Sequence, residues 1–233
     1  MAHKRHYVDG KPVPSVTTVT SRFGDKGGLI FWANAVGLGE RDCEDQPVCE
    51  SCGRRRGKNH REASKKAAQV GDLGHALIEE RVKAVAVDWD RFRSFDDGQK
   101  EQGASCLEAF DRWFKNSGVE IIETEFSFTS QLHRFGGTFD AVGFVDGRFS
   151  LIDWKTSKGI YADYVAQLGG YVILVEEAGF QQVEQIDLLR FSKETASFEH
   201  RSWVRKSFQP AIDFFLHARQ LYDDAKALDR MMK

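Results

Sequence analysis

Asp140, Asp153 and Lys155 lie in the stretch GGTFDAVGFVDGRFSLIDWKTS, where their types and spacing point to phosphate chemistry. One residue separates Asp153 from Lys155, so on a strand both side chains leave the same face. Asp140 ends an apolar segment that precedes Asp146-Gly147, a pair that favours a tight hairpin. If the two segments pair, Asp140 approaches the other two residues from the neighbouring strand. Two carboxylates and an ammonium at one sheet edge suit a divalent cation beside a scissile phosphate. Taken alone, Asp153 and Lys155 also describe a surface ion pair, which contributes little. The preceding Phe149, Leu151 and Ile152 favour the end of a buried strand instead. Asp140 sits between Phe139 and Ala141-Val142, and a carboxylate in an apolar run needs a partner or a metal.

Those residues need a sheet to hold them. HYVDGKPVPSV reads as a small hairpin around Asp9-Gly10, leading into a helix or turn after Pro14 and Ser15. The apolar run at 27–39 reads as a helix closed by glycines, and 40–61 as a polar, basic, cysteine-bearing loop. Helical spacing recurs over about 62–86 (Ala67, Leu73, Ile78, Val82) and 99–116 (Leu107, Phe110, Trp113, Phe114). Strands follow at IIETEFSFT, FGGTFDAVGFV and RFSLIDWKT. Then come a helix over about 161–178, strands at VEQIDLLRFS and ASFEHRSW, and a helix over about 206–230. This order predicts an α/β fold, a mixed central sheet flanked by helices with a helical N-terminal region and a cysteine-rich insert. The expected division is 1–40 (hairpin and helix), 41–61 (insert) and 62–233 (core with its C-terminal helix).

GGTFD, LIDWKTS and QLGGY together resemble the PD-(D/E)xK nuclease superfamily, and within it the RecB-type branch of phage and CRISPR-associated exonucleases. In that branch the first acid follows a glycine-rich turn, the second sits in D-x-K or E-x-K, and a Q-x-x-x-Y helix comes next. An upstream helix supplies a histidine. The chain offers these parts in order: His75, Asp140, Asp153 with Lys155, and Gln167 with Tyr171. The resemblance covers residues 60–200 and implies a restriction-endonuclease-like core that hydrolyses DNA phosphodiesters with Mg²⁺ or Mn²⁺. It implies Asp140, Asp153, His75 and the Trp154 backbone carbonyl as metal ligands. It also places Gln167 and Tyr171, one helical turn apart, facing DNA and the active site.

The chemistry of the residues supports those roles. A hard cation prefers carboxylate oxygens, and an imidazole nitrogen is tolerated better by Mn²⁺ than by Mg²⁺. Lys155 orients or deprotonates water, or steadies charge developing on the phosphate. Gly71 and Gly74 flank His75 and allow close backbone approach. Glu79, one turn on, is placed to orient the imidazole. Glu125, with Glu123 as the other choice, is the acid on the strand before the hairpin. Thr156 and Ser157 offer hydroxyls to phosphate.

Cys43, Cys49, Cys52 and His60 have the spacing C-x5-C-x2-C-x7-H, which suits a structural Zn²⁺. The fourth cysteine, Cys106, falls on an apolar helix face. The cysteine order differs from that of nucleases carrying an iron–sulfur cluster, which argues against one. From Arg54 to Lys66 there are seven Lys/Arg and one acid, a block (Arg54, Arg55, Arg56, Lys58) suited to DNA phosphates or to plain solvation. The net charge of −2 does not advertise a polyanion partner by itself. No stretch approaches the roughly 20 apolar residues of a membrane helix, and no apolar signal core is visible, so a cytoplasmic chain is expected. The reading is a metal-dependent DNA nuclease, an exonuclease by family resemblance. The alternatives are a non-catalytic DNA-binding or recombination factor and a zinc-organised interaction module.

Overall fold

The computed structural model describes residues 5–22 and 60–232, the side chains of residues 60–63 excepted. The expected helix at 27–39, Cys43, Cys49, Cys52 and the block Arg54, Arg55, Arg56 and Lys58 lie outside the described residues. So does the His60 side chain.

A first hairpin pairs β1 (His6–Val8) with β2 (Lys11–Val13). Asp9 and Gly10 both take positive φ (51° and 71°), the backbone that a two-residue hairpin turn demands. Ser15 then caps α1 (Val16–Ser21), accepting a hydrogen bond from the Thr18 amide. Helices α2 (His60–Val82) and α3 (Asp97–Ser117) follow, joined by a 3₁₀ turn at Trp89–Phe92. Asp96 and Gln99 form a reciprocal capping box at the start of α3, and Gly118 in the left-handed region ends it.

The remaining strands are β3 (Glu120–Ser130), β4 (Phe135–Val145), β5 (Arg148–Lys155), β6 (Gln185–Phe191) and β7 (Phe198–Val204). They form one sheet in chain order, antiparallel except for the parallel β5–β6 pair. Helix α4 (Ala162–Glu177) makes that parallel crossover, and α5 (Arg205–Met231) closes the chain. Parallel neighbours need such a connection, because a tight turn can only reverse direction.

Each face of the sheet is covered by helices. On one face Phe135, Phe139, Leu151, Ile186 and Leu188 pack with α1, α4 and α5. On the other, Ala141, Ile152, Trp154, Leu189 and Phe191 pack with α2 and α3. Each large side chain buried in this way contributes about 1.5–3 kcal/mol. The mixed sheet between helices is the fold class the sequence predicts. The five strands, α2, α3, α4 and α5 fall on the segments read as such.

One expectation is corrected. The resemblance implies a glycine-rich turn before Asp140, but Gly136 and Gly137 lie inside β4, as the strand reading of FGGTFDAVGFV expects, and the chain reverses at 131–134. Their lack of a side chain makes room for neighbours. A Cβ at Gly136 would come within 2.2 Å of the His6 ring, and one at Gly137 within 2.8 Å of Tyr171. The glycines of QLGGY likewise serve packing. A Cβ at Gly169 would meet the Ala211 carbonyl at 2.1 Å, and one at Gly170 the Phe215 ring at 2.7 Å, so the α4 backbone lies against the α5 backbone at Gly169 and against the Phe215 ring at Gly170.

Candidate active site

The β4–β5 hairpin sets the position of the two aspartates. Asp146 and Gly147 (φ 51° and 76°) reverse the chain in two residues, and the ladder then pairs Ala141 with Ile152. Beyond that rung Asp140 Oδ2 accepts a 2.9 Å hydrogen bond from the Trp154 amide. Asp140 is thus tied to the backbone of the Asp-Trp-Lys segment. Lys155 donates to Asp153 Oδ1 at 2.8 Å and lies 2.7 Å from Oδ2. Asp140, Asp153 and Lys155 thus lie together at the end of the β4–β5 pair.

Glu125 stands opposite Asp140, between the rungs Thr124–Ala141 and Phe126–Phe139. Its φ of +51° is left-handed, which costs a non-glycine residue roughly 1–2 kcal/mol. At this point the sheet's alternation reverses. Phe139 and Ala141 are two residues apart, yet they face opposite cores. The reversal brings both acids to one place. Helix α2 supplies the third group: His75 Nδ1 lies 3.5 Å from Asp140 Oδ1. One ligand atom each from His75, Glu125 and Asp140 fall within 4.8 Å of one another, the only such group of three among the described residues. Asp153 is not part of that group, its carboxylate being turned to Lys155.

α2 comes this close because of its glycines. A Cβ at Gly71 would stand 3.3 Å from Thr156 Oγ1, and one at Gly74 would stand 3.2 Å from Thr156 Cγ2. Thr156 therefore seats the helix that carries His75.

Charge is distributed unevenly. Burial pushes the Glu125 carboxyl up to about 7, with Asp140 adding to the rise. Burial pushes Asp153 up to about 6 against the pull of Lys155. Burial also acts to raise Asp140, but His75, Lys155 and the Trp154 amide outweigh it and hold this carboxyl below its ordinary value. Burial disfavours the His75 imidazolium, yet Asp140 more than offsets that and its pKa is raised. The same holds for Lys155, whose ammonium is desolvated but held by Asp153 and Asp140 above its ordinary value. Its Nζ also lies 5.2 Å over the Tyr164 ring. Asp153 and Asp140 thus favour the charged form of Lys155. Buried, reluctant carboxylates around an imidazole are groups that a divalent cation would satisfy. A donor set of oxygens with one nitrogen fits Mn²⁺ or Mg²⁺.

The remaining expected residues are placed as follows. Tyr171 is buried in the core; burial pushes its hydroxyl well above the ordinary value, and the charges of Asp153, Asp140 and Glu125 act in the same direction. Gln167 is half-buried on the same helix. Trp154 contributes its amide to Asp140, and its side chain is fully buried. Ser157 donates to the Gly159 carbonyl at 2.7 Å. One expectation needs correcting. Glu79 binds Lys83 at 2.5 Å, a turn further along α2, and does not orient His75. Glu123 is exposed, so Glu125 is the acid of β3 that enters the site. Tyr164 was not singled out in the sequence; its one signal is a place three residues before Gln167, on the same helical face.

Fold and site together define a nuclease class. The chain belongs to the PD-(D/E)XK nuclease superfamily, whose sequence model matches residues 48–231. Two solved structures are similar to this chain in part. One is LHK-Exo in complex with dAMP, 14% identical, covering 73% of this chain and 97% of that chain at a TM-score of 0.39. The other is an alkaline exonuclease (LHK-Exo) from Laribacter hongkongensis, 14% identical, covering 70% and 92% at a TM-score of 0.35. No curated protein matches the chain. No helix among the described residues is long and apolar enough to cross a membrane.

Proposed function

We propose that the chain is a divalent-metal-dependent deoxyribonuclease that hydrolyses phosphodiester bonds and works from DNA ends. The observation that carries this reading is the convergence of His75, Glu125 and Asp140 beside the Asp153–Lys155 pair. His75, Glu125 and Asp140 would hold the cation, with Asp153 and the Trp154 carbonyl joining from β5. A bound Mg²⁺ or Mn²⁺ supplies Lewis acidity toward the phosphate. Lys155 holds a positive charge for the phosphate oxygens, positioned by Asp153 and Tyr164. The Trp154 amide fixes the Asp140 carboxylate, so the site needs little rearrangement to receive its ligands. By resemblance, Gln167 and Tyr171 would face the site from α4. The preference for ends rests on the likeness of these motifs to RecB-type exonucleases.

A cleavage assay on single-stranded linear, blunt linear and closed circular DNA tests this. Linear DNA should be degraded with Mg²⁺ or Mn²⁺ and spared in EDTA, while the circle survives. Cleavage of the circle would overturn the exonuclease assignment. Intact DNA in every arm would overturn the nuclease reading altogether.

A further inference from the structure

Helix α5 carries two apolar faces, and only one of them is used by the fold. Phe208, Ile212, Phe215 and Ala218 are buried in the core. Roughly a third of the way round the helix runs a second stripe, Pro210, Phe214, His217, Leu221, Ala225 and Leu228. Its members recur every three or four residues and include no Asp, Glu, Lys or Arg. Phe214 is 47% exposed, Leu221 52% and Leu228 62%. Such spacing makes a seam along which one helix packs on another. Beyond Tyr222 no residue of α5 is buried, so its last turns run past the core with little to hold them.

The start of the stripe borders a groove of about 420 Å³, with Val165, Trp203, Phe208, Pro210 and Phe214 in its wall. The helix therefore presents a hollow near its beginning and bare apolar side chains toward its end. Two copies laid antiparallel bring one against the other. With Pro210 of one copy opposite Leu221 of the second, the two Phe214 side chains meet near the twofold axis. Leu221 then faces the groove, and Leu228 reaches the level of Trp203.

The charges agree with this register. Lys206, Asp213, His217 and Asp224 are exposed along one edge of the stripe. In the antiparallel pair Lys206 of each copy falls beside Asp224 of the other, and Asp213 beside His217. A twofold contact makes each of these pairs twice.

We propose that α5 is a dimer interface, through which two copies of this chain pack antiparallel along Phe214, Leu221 and Leu228. This pairing is independent of the nuclease reading, and its test uses no activity.

Sedimentation equilibrium of the full chain, from low to high micromolar concentration, should give twice the mass of one chain. Leu221→Asp should weaken association by roughly a hundredfold or more, because it places an unpaired charge in the seam. The position is exposed, so circular dichroism should be unchanged. Lys206→Glu should weaken association by roughly tenfold, and Lys206→Glu/Asp224→Lys should recover it. Leu132→Asp, in the turn between β3 and β4 and 78% exposed, should match the parent. A monomer at every concentration would overturn the inference, as would a dimer that Leu221→Asp leaves intact. A trimer would overturn the twofold pairing, and a double charge swap that fails to recover association would overturn the antiparallel register.

Discussion

Glu125→Gln should make the metal-free protein more stable while abolishing cleavage. The carboxyl of Glu125 is raised from 4.5 to about 7, chiefly by burial. At 1.36 kcal/mol per pH unit that is at most roughly 3 kcal/mol. A raised acid favours the folded state while protonated. Its contribution is complete below the unfolded value of 4.5 and is lost as pH climbs through 7. In EDTA the wild-type chain should therefore weaken between those limits. The glutamine keeps the shape and cannot ionise, so it escapes this loss. The variant should match wild type near pH 4.5 and exceed it at pH 8. A chain of this size shifts about 2–4 °C per kcal/mol, which makes the gap at most about 6–12 °C. Asp153, pushed up to about 6, leaves the variant a smaller decline at lower pH. Mn²⁺ at pH 8 should restore stability to wild type and do less for the variant. Thermal melts at four pH values, with EDTA and with Mn²⁺, measure all of this. Parallel melting curves for the two proteins across pH would refute the assignment of a strained, desolvated carboxylate at this position.

Asp140→Ala, Asp153→Ala and Lys155→Ala should each reduce turnover by a factor of 100 or more, on the order of oxyanion-type contributions, with circular dichroism unchanged; near-normal turnover in any one removes that residue from the site. Gly169→Val should lower stability by about 1–3 kcal/mol, because its Cβ would stand 2.1 Å from the Ala211 carbonyl; an unchanged Tm would mean α4 and α5 are free to separate. Asp187 accepts from His200 at 2.7 Å and from Gln185 at 3.0 Å, away from the proposed metal site. Asp187→Ala should cost roughly 1–3 kcal/mol for the donors left buried and leave the metal dependence of cleavage as it was; a shifted Mn²⁺ requirement would contradict that separation. Metal analysis of protein purified without chelators should find zinc if the spacing of Cys43, Cys49, Cys52 and His60 has been read correctly, and its absence would remove that expectation.

The parts of the fold that were legible in the sequence are those set by local physics. Asp9-Gly10 and Asp146-Gly147 announce their turns because few other pairs accept two left-handed residues. The alternation in IIETEFSFT and the helical spacing around Phe110 and Trp113 mark a strand and a helix without tertiary help. Asp140, Asp153 and Lys155 could be brought together because a hairpin register follows from its turn. The reversal at Glu125 was not visible, since nothing in ETEFSF shows a glutamate in a glycine-like backbone. The glycine-rich turn that the resemblance implies is missing at Gly136 and Gly137 because these strand positions make room for His6 and Tyr171, which are distant in sequence. Lys83 captured Glu79 on the same helix, a competitor at the same spacing as His75. The hold of Tyr164 on Lys155 joins a helix to a strand, and only the assembled crossover reveals it.

The two-residue link at Asp146-Gly147 acts as a ruler for the proposed site. A residue inserted there that the turn does not absorb as a wider loop would slide β5 along β4 by about 3.4 Å and turn its side chains to the opposite surface. Asp140 would lose the Trp154 amide, and Lys155 would point away from the acids, in a sheet still able to form. Length variation among kin of this chain should accordingly collect at the 3₁₀ connection near Trp89–Phe92 and spare the hairpin.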